Sequence, residues 1–194
     1  MSQTSNQSVR ETNRLAILKS ARNLFKEKGY ETVTIRDICE KSGVPRSSFY
    51  LMFSNKKDIL KAMLDEVKVD FQTKINDFIQ APNDYERIWF LTASYLKVAE
   101  DFGPKLTRAV LDLDFDGENG LLDTIESFNG WLIALIGNAQ KAGLIQNALE
   151  PHDLLQLQLA VSKGLLLDWV RSNGTFNLQK TVRAYFDKLL QIRQ

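Results

Sequence analysis

Thr34-Ile-Arg-Asp-Ile-Cys-Glu-Lys-Ser-Gly-Val-Pro-Arg-Ser-Ser-Phe-Tyr-Leu-Met-Phe-Ser-Asn-Lys-Lys57 is the stretch whose reading decides the fold, because it has the form of two short helices joined by a turn. Thr34 supplies an N-cap hydroxyl, and Asp37 places an acid three residues later, where the positive end of a helix favours one. Ile35, Ile38 and Cys39 then give the first helix a buried side. Gly43 stands where the chain leaves that helix, since glycine adopts the left-handed C′ conformation at little steric cost. Pro45 is placed to start the second helix, where its fixed φ and missing N–H do no harm. Phe49 and Phe53 pack inward at i and i+4, which leaves Arg46, Ser47, Tyr50 and Leu51 facing outward. A cation, hydroxyls and an aromatic on a narrow helix suit the major groove of DNA, although a helical hairpin inside a bundle shares the same cap, glycine and phenylalanines.

Specific residues decide between those two readings. The run Thr34-Ile-Arg-Asp-Ile, then Ser42-Gly-Val, then Ser48-Phe-Tyr with Phe53 and Lys56, resembles the N-terminal domain of TetR/AcrR-family transcriptional regulators over residues 10 to 65. That resemblance implies an all-α protein: a three-helix N-terminal helix-turn-helix domain joined to a C-terminal helical bundle, about nine helices in total. It further implies that Thr34, Ser48, Tyr50 and Lys56 touch DNA phosphates. Arg36 corresponds to a position that reaches a base in some members. Pro45, Arg46 and Ser47 open the recognition helix, with Arg46 the candidate for guanine O6 and N7. Leu51 and Met52 depart from the aromatic or histidine residues common in the family, so the groove contact there is expected to be apolar.

Charge is distributed to match. Residues 9–61 hold twelve Lys and Arg against six Asp and Glu, a net of +6, which leaves −5 for the rest of a chain whose total is +1. A basic head on an acidic body predicts that only the head meets a polyanion. Ser54 is the expected cap of the next helix, with Lys56 and Lys57 in its first turn. Two cations at a helix N-terminus oppose the macrodipole unless an anion lies nearby, which favours a phosphate there; a solvated lysine pair is the alternative.

Around this core, residues 1–8 are polar and predict a disordered tail. Ile17, Leu18, Ala21, Leu24 and Phe25 give the segment 9–28 one apolar helical face, and Gly29 ends it. The expected division is therefore a helix-turn-helix domain over 9–53 and a ligand-binding and dimerisation domain over 54–194. A long helix from 54 to about 80 is predicted to join them, broken by Ala81-Pro82-Asn83-Asp84. Helical patterns follow over 85–102, 104–116, 121–142, 152–173 and 178–193.

In the body, aromatic residues are frequent. By the resemblance, Trp89, Phe90, Phe115, Phe128 and Trp131 are candidate walls of an apolar pocket for an unidentified small-molecule effector; core packing explains the same residues. Apolar residues surround the segment 153–171, so a second element must cover part of it. The family's dimer interface corresponds to 152–173 and 178–193, and Gly164 would allow close approach, although a buried monomeric helix gives the same pattern. An isologous homodimer matches a palindromic double-stranded DNA operator. The expected protein is thus a regulator, as a rule a repressor, that is released by a small apolar or amphipathic ligand.

Other classes find less support. The single histidine, His152, and the single cysteine, Cys39, cannot assemble a Cys-His or zinc site, and no glycine-rich phosphate loop is present, so neither an enzyme nor a cofactor or metal is expected. Cys39 reads as a small core residue. No signal peptide or transmembrane run is seen, so the expectation is a cytoplasmic protein without a membrane partner. A helical adaptor that binds protein through its body is the competing non-enzymatic reading.

Overall fold

The computed structural model describes residues 2–115 and 129–192. Among the described residues the chain is α-helical, with no strand and one isolated antiparallel bridge between Ile145 and Ile192. It divides into two compact units, Met1–Val67 with Lys105–Gly120, and Lys68–Pro104 with Leu121–Gln194.

In the first unit, α1 (Ser2–Lys28) buries Ile17, Leu18, Ala21, Leu24 and Phe25, the face its spacing predicts. It also takes in residues 2–8, where a tail was expected; once a helix is nucleated each further residue adds a backbone bond, so polar flanking sequence can continue it. The helices α2 (Ile35–Ser42) and α3 (Arg46–Tyr50) follow, α2 packing on both α1 and α3. Next comes α4 (Lys56–Thr73), whose Ile59, Leu60, Met63 and Leu64 are buried, so the first unit extends past the boundary expected at residue 53. Asn55, not Ser54, caps this helix: its side-chain oxygen accepts the Asp58 N–H at 3.0 Å, while the Ser54 N–H donates to the Asp58 carboxylate at 2.8 Å.

The predicted single helix from 54 to 80 is interrupted at Lys74 (φ −91°, ψ 8°), after which α5 (Ile75–Gln80) begins. No glycine or proline lies at this break, and nothing in the structure explains it. The two helices expected over 85–102 and 104–116 are found as the two arms of α6 (Asp84–Phe115), parted at the predicted Gly103-Pro104 break, where Gly103 is non-helical at φ 74°, ψ 163°. A positive φ with an extended ψ is a conformation only glycine adopts cheaply.

The second unit is completed by α7 (Asn129–Lys141), α8 (Pro151–Arg171) and α9 (Leu178–Leu189). Tyr85, Ile88, Leu132, Ile136, Ala139, Ile145, Leu154, Leu155 and Leu190 form its buried core. Asn177 caps α9 by accepting the Lys180 N–H at 2.8 Å. A polar cluster ties α9 to the start of α6: Arg183 donates to both Glu86 carboxylate oxygens, one at 3.1 Å, and its guanidinium lies 4.5 Å from the Tyr85 ring centre and 4.9 Å from that of Trp89. The Tyr85 hydroxyl donates to Asp187; burial, then that carboxylate, push its pKa far above the ordinary phenol range. Among the described residues no helix is long and apolar enough to cross a membrane.

Candidate nucleic-acid interface

The predicted turn between α2 and α3 is built as its residue types require. Thr34 and Asp37 form a full capping box: the Asp37 N–H donates to the Thr34 hydroxyl oxygen at 3.2 Å, and the Thr34 N–H and hydroxyl donate to the Asp37 carboxylate at 2.8 and 2.6 Å. Those two bonds, hydroxyl first, hold the Asp37 carboxyl below its ordinary pKa. Gly43 closes α2 in the left-handed conformation at φ 71°. Pro45 is the N-cap of α3 itself, one residue before the helix, instead of its first turn.

Only five residues long, α3 is too short to persist alone, and its orientation comes from its inner side. Phe49 is fully buried, Val44 and Phe53 nearly so, and the rings of Phe49 and Phe53 lie 5.9 Å apart. The opposite side is bare: Arg46 and Ser47 are exposed, Tyr50 is 50% exposed and Leu51 74%. Arg46 reaches the Tyr50 hydroxyl at 3.5 Å, so the cation and the aromatic stand side by side at i and i+4. Ser48 is half-buried, and Thr34 and Arg36 are exposed at the start of α2.

Two features of the site lay outside the sequence reading. Arg10 of α1 donates to the Leu51 carbonyl at 2.9 Å, capping the end of α3, and the Arg14 guanidinium lies 5.9 Å from the Phe53 ring centre. Both are basic residues on the face of α1 that continues toward the buried Ile17, Leu18 and Ala21, and only the tertiary fold brings them to α3. Lys56 is also used differently from the expectation. Its ammonium donates to the carbonyls of Tyr30 at 2.8 Å and Glu31 at 3.4 Å and lies 4.6 Å from the Tyr30 ring centre, so it ties the α1–α2 turn to the head of α4. Cys39 is a buried free thiol whose pKa is raised by burial, with Arg46 acting weakly the other way, as suits a core residue.

The five pocket candidates separate. The ring centres of Phe90 and Trp131 lie 6.2 and 6.4 Å from that of Phe78. Trp89 instead meets Phe186 edge-on at 5.9 Å, with Arg183 on its face. Phe115 is 77% exposed and belongs to the first unit, because the kink at Gly103 divides α6 between the two units. Phe128 lies outside the described residues. The exposed His152 lies 3.3 Å from the Asp153 carboxylate.

Comparison with known proteins bears on this geometry. Residues 17–63 match the family model described as bacterial regulatory proteins, tetR family. The chain is 29% identical over 80 residues to the uncharacterized HTH-type transcriptional regulator YfiR of Bacillus subtilis, an alignment spanning 41% of this chain and 37% of that one. It is also 29% identical over 156 residues to the transposon Tn10 TetC protein of Escherichia coli, covering 79% and 74% of the two chains. In fold it is similar to a protein assigned as a transcriptional regulator from Saccharomonospora viridis, solved in complex with choline (TM-score 0.73, 20% identity, 93% of this chain and 98% of that one). It is similar too to the regulator FadR from Bacillus subtilis in complex with stearoyl-CoA (TM-score 0.67, 18% identity, 93% and 99%). The capped, glycine-closed turn and the bare face of α3 lie within the residues that match the tetR-family model, and the fold around them is similar to that of the solved regulators.

Proposed function

We propose that the protein is a sequence-specific DNA-binding transcriptional repressor that grips a palindromic operator as a homodimer and is released by a small ligand held in its second unit. The observation that carries the reading is α3, whose inner face is clamped by Phe49 while Arg46, Ser47, Tyr50 and Leu51 stand uncovered on a basic segment. Arg46 is assigned to a guanine edge, Leu51 to a thymine methyl, and Ser47 with Pro45 to the groove wall. Thr34, Ser48 and Tyr50 take phosphates, and Arg36 takes a base or phosphate beside them. Lys56 contributes mainly by holding the turn before Thr34, with phosphate attraction a long-range addition. Segment 9–53 reads DNA, and the remainder holds the effector and the dimer contact.

Dimerisation is assigned to 152–173 and 178–193. Leu157, Ala160, Gly164 and Leu167 fall on one exposed face of α8 at three- and four-residue spacing, and Tyr185 is exposed on α9. Nothing lies within reach of a Cβ built on Gly164, so a second helix can approach there. A two-fold axis through such a contact calls for half-sites about 34 Å apart or slightly more. A regulator of this kind acts on chromosomal DNA, hence in the cytoplasm, with no catalytic step.

Selection of bound sequences from a random DNA pool by the purified full chain, at fixed near-physiological salt, tests the reading. An enriched inverted repeat is the expected result. Folded protein that enriches nothing, with or without cell extract, overturns it in favour of the adaptor.

A further inference from the structure

Three helical stretches of the second unit carry no Asp, Glu, Lys, Arg or His: Ile88–Leu96 of α6, Asn129–Gln140 of α7 and Leu154–Ser162 of α8. In a chain with one charged residue in four, the buried and half-buried positions of these stretches offer no counter-charge, while their exposed positions, Leu157 and Ala160 among them, face outward. Within the first stretch, the seven consecutive residues Trp89 to Tyr95 are each half-buried. Two full turns of a tightly packed amphipathic helix would alternate buried and exposed positions, so water reaches this part of α6 even on sides that face protein. The aromatic group of Phe78, Phe90 and Trp131 borders it.

A buried polar group with incomplete pairing lies there. Gln158 of α8 is 1% exposed. The hydroxyl of Thr92 donates its only proton to the Ile88 carbonyl at 3.0 Å, so toward Gln158 it acts as an acceptor. The Gln158 amide must therefore turn its Nε2 to Thr92, at 3.2 Å, which fixes the orientation of the amide. Its Oε1 consequently points elsewhere, and no group among the described residues donates to it. Ser162, one turn on, spends its proton on the main-chain carbonyl of Gln158 at 2.8 Å. A buried acceptor without a donor is unfavourable, and a donor brought by another molecule relieves it.

We infer that the second unit takes an uncharged, largely apolar effector carrying a hydroxyl or amide N–H, which donates to Gln158 Oε1 while its apolar body lies against the aromatic group. A carboxylate or phosphate would set acceptor against acceptor, and an ammonium would be desolvated with no carboxylate among these stretches to meet it. The inference rests on the effector-binding part of the function proposed above and narrows it from amphipathic to neutral, donor-bearing ligands.

Calorimetric titration of the full chain with four naphthalene probes tests it: 2-naphthol, 2-methylnaphthalene, 2-naphthoate and the ammonium form of 2-(aminomethyl)naphthalene. The naphthol is expected to bind about tenfold more tightly than the hydrocarbon, and both charged probes more weakly than either neutral one. In Gln158→Leu, or in Gln158→Met should the leucine variant fail to fold, the gap between naphthol and hydrocarbon should close. Equal binding of the two in the unsubstituted protein would overturn the inference, as would tighter binding of naphthoate, a gap that survives the substitution, or no binding of any probe. Operator selection separates the two failures: a protein that enriches an inverted repeat yet shows no preference for the naphthol loses this inference alone.

Discussion

The recognition helix α3 and the midsection of α6 are opposite solutions to presenting a helix. The first is five residues long, anchored by Phe49 and surrounded by cations; the second runs through Ile88–Leu96 without a charge and without a fully exposed residue. In the first unit, specificity rests on a surface whose chemistry is printed along the chain. In the second it rests on what the helices enclose, so two residues adjacent in sequence, Trp89 and Phe90, serve different neighbours. A surface can be read from residue types and their spacing, whereas an enclosure needs the packing.

Six substitutions break or sharpen that contrast. Phe49→Ala removes the whole anchor of α3 and should destabilise the first unit by about 3–5 kcal/mol, abolishing DNA binding near physiological temperature. Denaturant titration followed by circular dichroism, with α8 reported by a separate probe near Trp169, reads this; a loss under about 1 kcal/mol would show that α3 is oriented by something other than its inner face.

Arg183→Ala is the matching break in the second unit. It strips Glu86 of a bidentate partner and uncovers Tyr85 and Trp89, so a loss of about 2–3 kcal/mol is expected, below that of a fully buried pair because both groups are partly solvated. Thermal unfolding of this variant should leave operator sequence preference intact. A changed preference would mean the two regions do not divide the work.

Arg46→Ala should cost about 1–3 kcal/mol at one base position of the operator and leave the fold unchanged, while Lys56→Ala weakens all sequences alike and also lowers the melting temperature, since its ammonium holds two carbonyls. Binding titrations against single-base operator variants distinguish them, and a uniform loss in Arg46→Ala removes that residue from base reading.

The smallest effect belongs to the cap. Thr34→Ala should cost about 1 kcal/mol. Asp37 has a folded pKa below its unfolded one, so its share of stability is present above the ordinary carboxylate value and disappears as pH falls through the folded pKa. The difference between the native protein and Asp37→Asn should accordingly be largest at neutral pH and shrink on acidification below about pH 4. A difference that grows toward acid would contradict the capping geometry.

Much of the first unit was legible because its signals are local. The Thr34 cap, the Gly43 turn, the buried Phe49 and Phe53, and the outward Arg46 and Tyr50 depend on neighbours within one or two turns. Even there, the cap of α4 fell on Asn55 and not Ser54, since either side chain can serve and only the backbone path chooses. Lys56 was read as free for phosphate because nothing in the sequence brings the carbonyls of Tyr30 and Glu31 to it.

By itself the sequence determined the helical class, the position and polarity of the helix-turn-helix, and the basic head on an acidic body, all of which follow from spacing, capping chemistry and charge along the chain. Tertiary structure alone decided that Phe115 falls in the first unit and Phe90 and Trp131 in the second, that Arg10 caps α3, and that Gln158 has an oxygen unmet among the described residues. Those facts join residues tens of positions apart, where burial and partner choice arise from packing that no local pattern encodes.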